Sequence, residues 1–299
     1  MELELRHLRY FVAVAEELHF GRAAVRLHMA QPPLSQQIQR LEAVVGTPLL
    51  ARTSRSVALT PAGVAFLERA RRILAAAREG VEEAARIGRG EAGHLDVGFV
   101  SSAITLGVPE RIQAFRAAFP DVRLQLYEGQ TALTVRRLME RSIDTGVVRD
   151  AEPQPGLVVE ALASEPYVAV VPHSHPKAGA ARIGAGALRD DPFVFYPRRA
   201  GELAHQRNLQ ACYDAGYEPQ VVQEAEHWLT VFHLVGTGIG VTVAPASAAQ
   251  VAPATVRVLP LTGARTRSEV QLITRAGDDR TLVKNFASGA RGSAGRAAR

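Results

Sequence analysis

Five polar residues crowd one short stretch of the chain: Gln31, Ser35, Gln36, Gln39 and Arg40, with no acid until Glu42. Glutamine can bond adenine at two atoms, arginine can bond guanine likewise, and serine can bond bases or phosphate. On one face of a helix, such a set could read base-pair edges. The bland alternative is a solvated polar face, the ordinary outcome for an isolated helix. Two other places could do chemistry. Ser101-Ser102 follows the apolar run at residues 95–100, and Gln130-Thr131 follows residues 122–127. Helix starts carry unpaired N–H groups and partial positive charge, so two of them facing one crevice form an anion site. Plain N-capping by Ser102 and Thr131 is the simpler reading. Arg149 either adds positive charge near that crevice or sits in a surface ion pair.

An enzyme has to be weighed. Nine histidines and 30 acids are present, yet no Gly-x-Ser-x-Gly, His-Glu-x-x-His or phosphate-loop motif occurs. His173 and His175 sit at i, i+2 in a Pro-bounded loop. They could hold a metal, though polar loop groups are commoner. Cys212, the single cysteine, lies in a helix interior and reads as a core residue. Gly236-x-Gly238-x-Gly240 lacks the strand-turn opening of a dinucleotide loop. The expectation is no catalytic residue, no metal and no cofactor.

The elements that would position these groups are legible from periodicity. Residues 3–16 have helical apolar spacing, and 21–27 a second short helix. Pro32 and Pro33 open a third, where proline's missing N–H has no partner to lose. Its apolar face is Leu34, Ile38, Leu41 and Val45, and Gly46 stops it. Small Ala23-Ala24 permits the close helix crossing that a helix-turn-helix needs. Residues 49–60 form a short hairpin carrying Arg52 and Arg55, a wing beside the groove. A long helix follows over 61–87, with Thr60 as its N-cap. Leu67, Ala70, Leu74, Ala77, Val81 and Ala84 alternate steps of three and four, which is a coiled-coil seam for dimerisation; the alternative is packing on its own domain. Beyond residue 95, strands alternate with helices. That pattern predicts a mostly parallel sheet, long enough for two α/β lobes with ligand in the crevice between them.

Length and charge fit this division. A chain of 299 residues suggests about two domains at ~100–200 residues each, and 47% hydrophobic content gives both a core. Residues 1–90 hold thirteen arginines against nine acids, and residues 91–286 hold nineteen basic groups against twenty-one acids. Basic charge at the N-terminal end suits nucleic acid. A GC-rich genome would also produce it, since Lys177 and Lys284 are the only lysines. Residues 1–5 lack a secretory pattern, and no stretch reads as a membrane span. A cytoplasmic location is expected.

Residues 5–63 resemble the winged helix-turn-helix domain of LysR-type transcriptional regulators. The strings that carry the resemblance are Leu5-Arg6-His7-Leu8-Arg9-Tyr10-Phe11, Phe20-Gly21-Arg22-Ala23-Ala24, Ala30-Gln31-Pro32-Pro33-Leu34-Ser35-Gln36-Gln37-Ile38, Pro48-Leu49-Leu50-Ala51-Arg52-Thr53 and Leu59-Thr60-Pro61-Ala62-Gly63. The remainder resembles that family's periplasmic-binding-protein-like effector domain. The 30–35 run and Leu126-Tyr127-Glu128 look most like the branch controlling aromatic-compound catabolism, the muconate-responsive regulators. Ser101 and Trp228 depart from that branch, which has glycine and a small aliphatic at these positions. The resemblance implies contacts to an effector carboxylate at Ser101, Ser102 and Thr131; Arg149 beside them, and Glu202, Trp228 and Thr230 across the crevice, are further candidates.

The expected architecture is α+β in two parts. Residues 1–60 form a winged helix-turn-helix and 61–92 a linker helix and hinge. Residues 93–286 form a two-lobed α/β effector domain, and 287–299 a disordered tail. The expected function is sequence-specific regulation of transcription under a small organic-acid effector, an aromatic acid or ring-cleavage product. Gln31, Pro32, Ser35, Gln36, Gln39, Arg40, Arg52 and Arg55 would meet double-stranded DNA. Homodimers or homotetramers, with RNA polymerase at the promoter, complete the expected partners. The alternative is a small-molecule-binding protein whose N-terminal helices serve only oligomerisation.

Overall fold

The computed structural model describes residues 2–53 and 56–294, with backbone alone for 290–294. The chain forms two compact units, Met1–Arg86 and Ile87–Arg299.

In the first unit, α1 (Leu5–Glu17), α2 (Phe20–Arg26) and α3 (Gln31–Val45) precede a hairpin of β1 (Leu50–Arg52) and β2 (Val57–Leu59), then α4 (Pro61–Gly88). The His19 ring accepts the N–H groups of Gly21 and Arg22 and so caps α2. Ala23 and Ala24 are buried where α2 meets its neighbours. Leu8, Phe11, Leu34, Ile38, Leu41 and Leu49 form the core. At the start of α4, the Thr60 hydroxyl accepts the Gly63 N–H at 2.9 Å and donates to the Pro48 carbonyl. A Cβ on Gly63 would stand 2.0 Å from the Leu49 carbonyl oxygen. Only glycine lets α4 lie this close to the wing.

That close approach corrects half of the expected dimer seam. Phe66 meets Phe11 edge-on at 5.3 Å, and the same side of α4 turns Leu67, Ala70 and Leu74 onto the unit's own core. Ala70 is wholly buried within one chain, so it has no surface left for a second copy. Ala77 is half-buried, whereas Val81 and Ala84 are exposed.

The second unit runs β3 (Ala92–Phe99), a 3₁₀ turn (Ser101–Leu106), α5 (Val108–Ala118), β4 (Asp121–Glu128), α6 (Thr131–Met139), β5 (Thr145–Arg149), β6 (Leu157–Pro172), β7 (Ile183–Gly184), β8 (Pro192–Phe195), α7 (Glu202–Asp214), β9 (Gln220–Glu224), α8 (Trp228–Gly236), β10 (Thr242–Pro245), β11 (Val256–Thr262), β12 (Arg267–Arg275) and α9 (Thr281–Ala294). The large sheet has strand order β4-β3-β5-β12-β6-β11-β7, with β10 also on β6. The sixteen-residue β6 is its spine. Residues 157–166 pair with β12 in the first lobe, and residues 167–172 pair with β10 and β11 in the second. Separate apolar cores form around Val97, Val147 and Phe286, and around Phe193, Phe195 and Val243.

The sheet is mixed, not mostly parallel. β3 is parallel to β4 and β5, but β12 is antiparallel to both β5 and β6. β5 passes to β6, and β11 to β12, without an intervening helix, and a short connection returns the chain in the opposite direction. The expected disordered tail is also corrected in part, because α9 continues to Ala294. Phe286 is buried and meets Phe115 edge-on at 5.3 Å, anchoring the helix one residue before the Ala/Gly-rich stretch. Truncation of Phe286 to alanine is expected to lower stability of this unit by about 3–5 kcal/mol. Denaturant unfolding followed by Trp228 fluorescence would measure the loss.

Candidate DNA-reading surface and effector crevice

The polar side of α3 stands open. Gln31, Pro32, Gln36, Gln39 and Arg40 are exposed and Ser35 is half-buried, while Leu34, Ile38 and Leu41 face inward. The polar and apolar sets thus sort onto opposite faces, as base reading requires. Arg40 makes no ion pair with any described residue.

Arg52 behaves differently. Its Nη2 donates to Glu42 Oε2 at 2.7 Å, and its guanidinium lies 4.9 Å from the Phe20 ring centroid. The other Glu42 oxygen accepts the N–H groups of Leu49 and Leu50 at 2.9 and 3.0 Å. Glu42 therefore pins the wing to α3, and Arg52 neutralises the pin. Glu42 thus offsets the charge of Arg52 and holds one of its five N–H groups, which leaves it less charge to offer the expected phosphate contact. Arg55 lies outside the described residues.

In the second unit, Ser101, Ser102, Thr131, Arg149 and Trp228 come together in one crevice. Ser101 and Ser102 open the 3₁₀ turn after β3, and Thr131 opens α6 after β4. Trp228 forms a flat wall, stacked on Tyr196 at 5.8 Å and on Phe232 at 5.7 Å. Two expected members fall elsewhere. Glu202 bonds Gln206 and Arg198 and lines a separate groove beside α6. Thr230 is exposed on α8, away from the crevice lining. Residues two apart on a helix lie about 200° around its axis, so Trp228 faces inward and Thr230 does not.

Arg149 is neither a surface ion pair nor a free anion ligand. Nε donates to Ser102 Oγ at 3.2 Å, and Nη2 donates to the Ser102 carbonyl and Ser247 Oγ. Nη1 donates to Glu165 Oε1 at 2.5 Å and Ser268 Oγ at 2.8 Å. A guanidinium has five N–H donors, and all five are engaged. The Thr131 hydroxyl is engaged as well, donating to the Arg149 carbonyl at 2.8 Å. It neither caps α6 nor stands free for a ligand. The Ser101 hydroxyl bonds no described residue.

Three lining residues escaped the sequence reading. Glu226 accepts from Gln130 Nε2 at 2.7 Å, from the opposite lobe, and from Arg199 at 2.9 Å. These bonds, the Gln130 bond foremost, hold its carboxyl below the ordinary value of 4.5. Tyr196 is buried, which raises its phenol far above the ordinary range. Asn208 is 2% exposed on α7 and lines the crevice without a hydrogen-bond partner among the described residues. The available signal was a lone polar residue on the stripe Ala204, Asn208, Ala211 and Cys212, all of them buried. Elsewhere, the His175 ring pairs with Asp191 and accepts the Lys177 N–H, and Cys212 is buried in the core.

A winged helix-turn-helix with a long linker helix, followed by a two-lobed α/β ligand-binding domain, defines a DNA-binding regulator under small-molecule control. The family model for the bacterial regulatory helix-turn-helix protein, lysR family, matches residues 5–64, and that for the LysR substrate binding domain matches residues 88–292. The chain belongs to the LysR family of transcriptional regulators, which are not enzymes. It is 42% identical over 274 residues to the uncharacterized HTH-type transcriptional regulator YnfL of Escherichia coli (strain K12), covering 91% of this chain and 92% of that one. It is 39% identical to the HTH-type transcriptional regulator AlsR of Bacillus subtilis (strain 168), covering 95% and 94%. Among solved structures, full-length CbnR complexed with its target DNA matches with a TM-score of 0.81 at 30% identity, covering 98% of this chain and all of that one. No described helix is long and apolar enough to cross a membrane.

Two outcomes follow from these side-chain partners. Arg52→Ala is expected to destabilise the wing while leaving the salt dependence of DNA binding little changed. Arg40→Ala should reduce the slope of log K against log salt by about 1. Fluorescence anisotropy on operator DNA across a salt series separates the two. Gln130→Ala should raise the Glu226 pKa towards its ordinary value. The depressed value means that the bar from Gln130 to Glu226 is retained at neutral pH and lost only as pH falls through the folded-state pKa. A carboxyl-carbon NMR titration reads this directly.

Proposed function

We propose that this regulator binds a small organic anion in the crevice of its second unit and thereby changes its action at a promoter. The carrying observation is the convergence of the Ser101 and Ser102 hydroxyls with the unpaired N–H groups at the start of α6, beside the Tyr196–Trp228 wall. Hydroxyls and backbone N–H groups hold a carboxylate, and stacked rings suit a flat or apolar body. An aromatic acid or ring-cleavage product fits both. The resemblance to the aromatic-catabolism branch supports this class, as does likeness to the solved full-length BenM at 32% identity and a TM-score of 0.60. Relatives such as AlsR and YnfL do not share that branch's name.

At the promoter, Gln31, Pro32, Ser35, Gln36 and Gln39 approach base edges and Arg40 holds phosphate. Two copies pair through the open end of α4, where Ala77, Val81 and Ala84 remain after the unit's own core has taken the earlier positions. The 71% exposure of Val81 supports this, because an apolar side chain that open gains from a partner. Such dimers, or tetramers of them, act in the cytoplasm with RNA polymerase as a further partner.

Titration of benzoate, the hydroxybenzoates and muconate against Trp228 fluorescence, paired with operator anisotropy, tests the reading. At least one acid should shift both signals. Ser101→Ala and Ser102→Ala should each weaken it by tenfold or more, since a charge-assisted bond contributes about 1.5–3 kcal/mol. Acid binding that leaves DNA binding and transcription unaltered would overturn the regulatory role.

A further inference from the structure

We infer that Asn208 selects the effector by a neutral oxygen, so that the crevice takes a hydroxy- or oxo-monocarboxylate in preference to a dicarboxylate. This rests on the proposal that an organic anion occupies the crevice. Asn208 projects from the buried side of α7, one turn beyond Ala204, and both line the cavity. Its neighbours on that side have found partners or need none. The His205 ring bonds the Tyr196 carbonyl at 2.7 Å, and Ala204, Ala211 and Cys212 are apolar. The Asn208 amide alone has no partner among the described residues, although the residue is only 2% exposed. Its amide atoms are not among the fully buried polar atoms without a partner, so they open onto the crevice, where a ligand group can complete their donors and acceptor.

The charges around the amide decide which group that is. Arg149 below the crevice is fully engaged with Glu165 and three serines. Arg207, the residue before Asn208, is held by Asp150. Arg199 is held by Glu224 and Glu226. Among the described residues no unpaired arginine lines the crevice, and its ionisable lining residues are Arg149, Tyr196, Glu226 and His227. One carboxylate can be held at Ser101 and Ser102 by hydroxyls and the α6 N–H groups. A second, placed at Asn208, would find no arginine left over to hold it, because Arg149, Arg199 and Arg207 are each already paired with a carboxylate. A hydroxyl or a keto oxygen needs no such partner. The amide N–H donates to either, and the amide oxygen also accepts from a hydroxyl.

Matched acids test this on the intact protein, with Trp228 fluorescence confirmed by calorimetry. The series are propanoate, lactate, pyruvate and malonate, and benzoate, the hydroxybenzoates and phthalate. In one series or both, the hydroxy or oxo monoacid should bind at least tenfold tighter than the plain acid, and the diacid weakest. Asn208→Ala, a change that favours the helix, should erase the preference without altering plain-acid affinity. Asn208→Asp loses the donors and adds a negative charge, so it should weaken the binding of every acid and lose the oxo-acid preference. Acids that bind through Ser102 with equal affinity within every series that binds, or a preference that survives Asn208→Ala, would overturn the assignment while leaving the anion site standing. Failure of every acid to bind the wild-type protein would overturn the anion site itself and this inference with it.

Discussion

The effector-binding unit is organised around one buried ion pair, Arg149 with Glu165. Arginine does not deprotonate in proteins, so a guanidinium that is 4% exposed must find acceptors for every N–H. It finds them on the 3₁₀ turn, on β6, beyond β10 and on β12. Ser247 completes the arrangement by donating its hydroxyl and its N–H to the two Glu165 oxygens, both at 2.6 Å. Elements of both lobes therefore converge on one side chain. A buried pair of this kind adds little net stability over an apolar filling, but losing one partner costs about 3–5 kcal/mol because the other charge is stranded. Its consequence is geometric: Arg149 and Glu165 both belong to the first lobe, and separating the lobes here would break the three bonds that Ser247 makes to them.

The same pair determines the chemistry of the crevice. With Arg149 neutralised by Glu165, the crevice presents hydroxyls, N–H dipoles and an amide, and no free cation from Arg149. Anion recognition then depends on oriented dipoles, which suit one small charged group better than two. Asp150, next in the chain, repeats the pattern. It accepts from the Glu269 N–H and Ser268 Oγ and is paired with Arg207. Burial nonetheless raises its carboxyl above the ordinary value. Control by a ligand requires that two states differ in affinity for it. The bond from Gln130 to Glu226 joins the lobes at the crevice, and a bound acid would compete with it.

The DNA-binding unit uses a related device on a smaller scale. Glu42 is the first acid on α3, and its carboxylate serves three donors of the wing. Orientation of the wing beside α3 thus depends on a carboxylate whose two oxygens are taken up by the wing itself. Gly63 sets the approach of α4 to the same wing by offering no Cβ. The reading face is left free of acids as a result, which matters for a surface that must meet phosphate.

Much of this was legible along the chain, because local patterns carry it. The spacing of Leu34, Ile38 and Leu41 determined which side of α3 is buried, and hence that its glutamines are exposed. Ala23-Ala24, Thr60 and Gly63 are required by close approach and capping, which are properties of short segments. The meeting of Ser101, Ser102, Thr131 and Trp228 was legible through family resemblance. What the sequence could not contain was pairing between distant residues. Arg149 and Glu165 are sixteen apart, and Ser247 and Ser268 are far beyond them. Arg52 looks like any basic wing residue until Glu42 stands beside it. Ala70 has perfect seam spacing, yet the same periodicity serves an intrachain core equally well. Glu202 and Glu226 are interchangeable as acids near a helix start, and only the packing of α7 and α8 places one in the crevice and the other outside it. Periodicity specifies a face, whereas charge neutralisation and contact in three dimensions decide what that face meets.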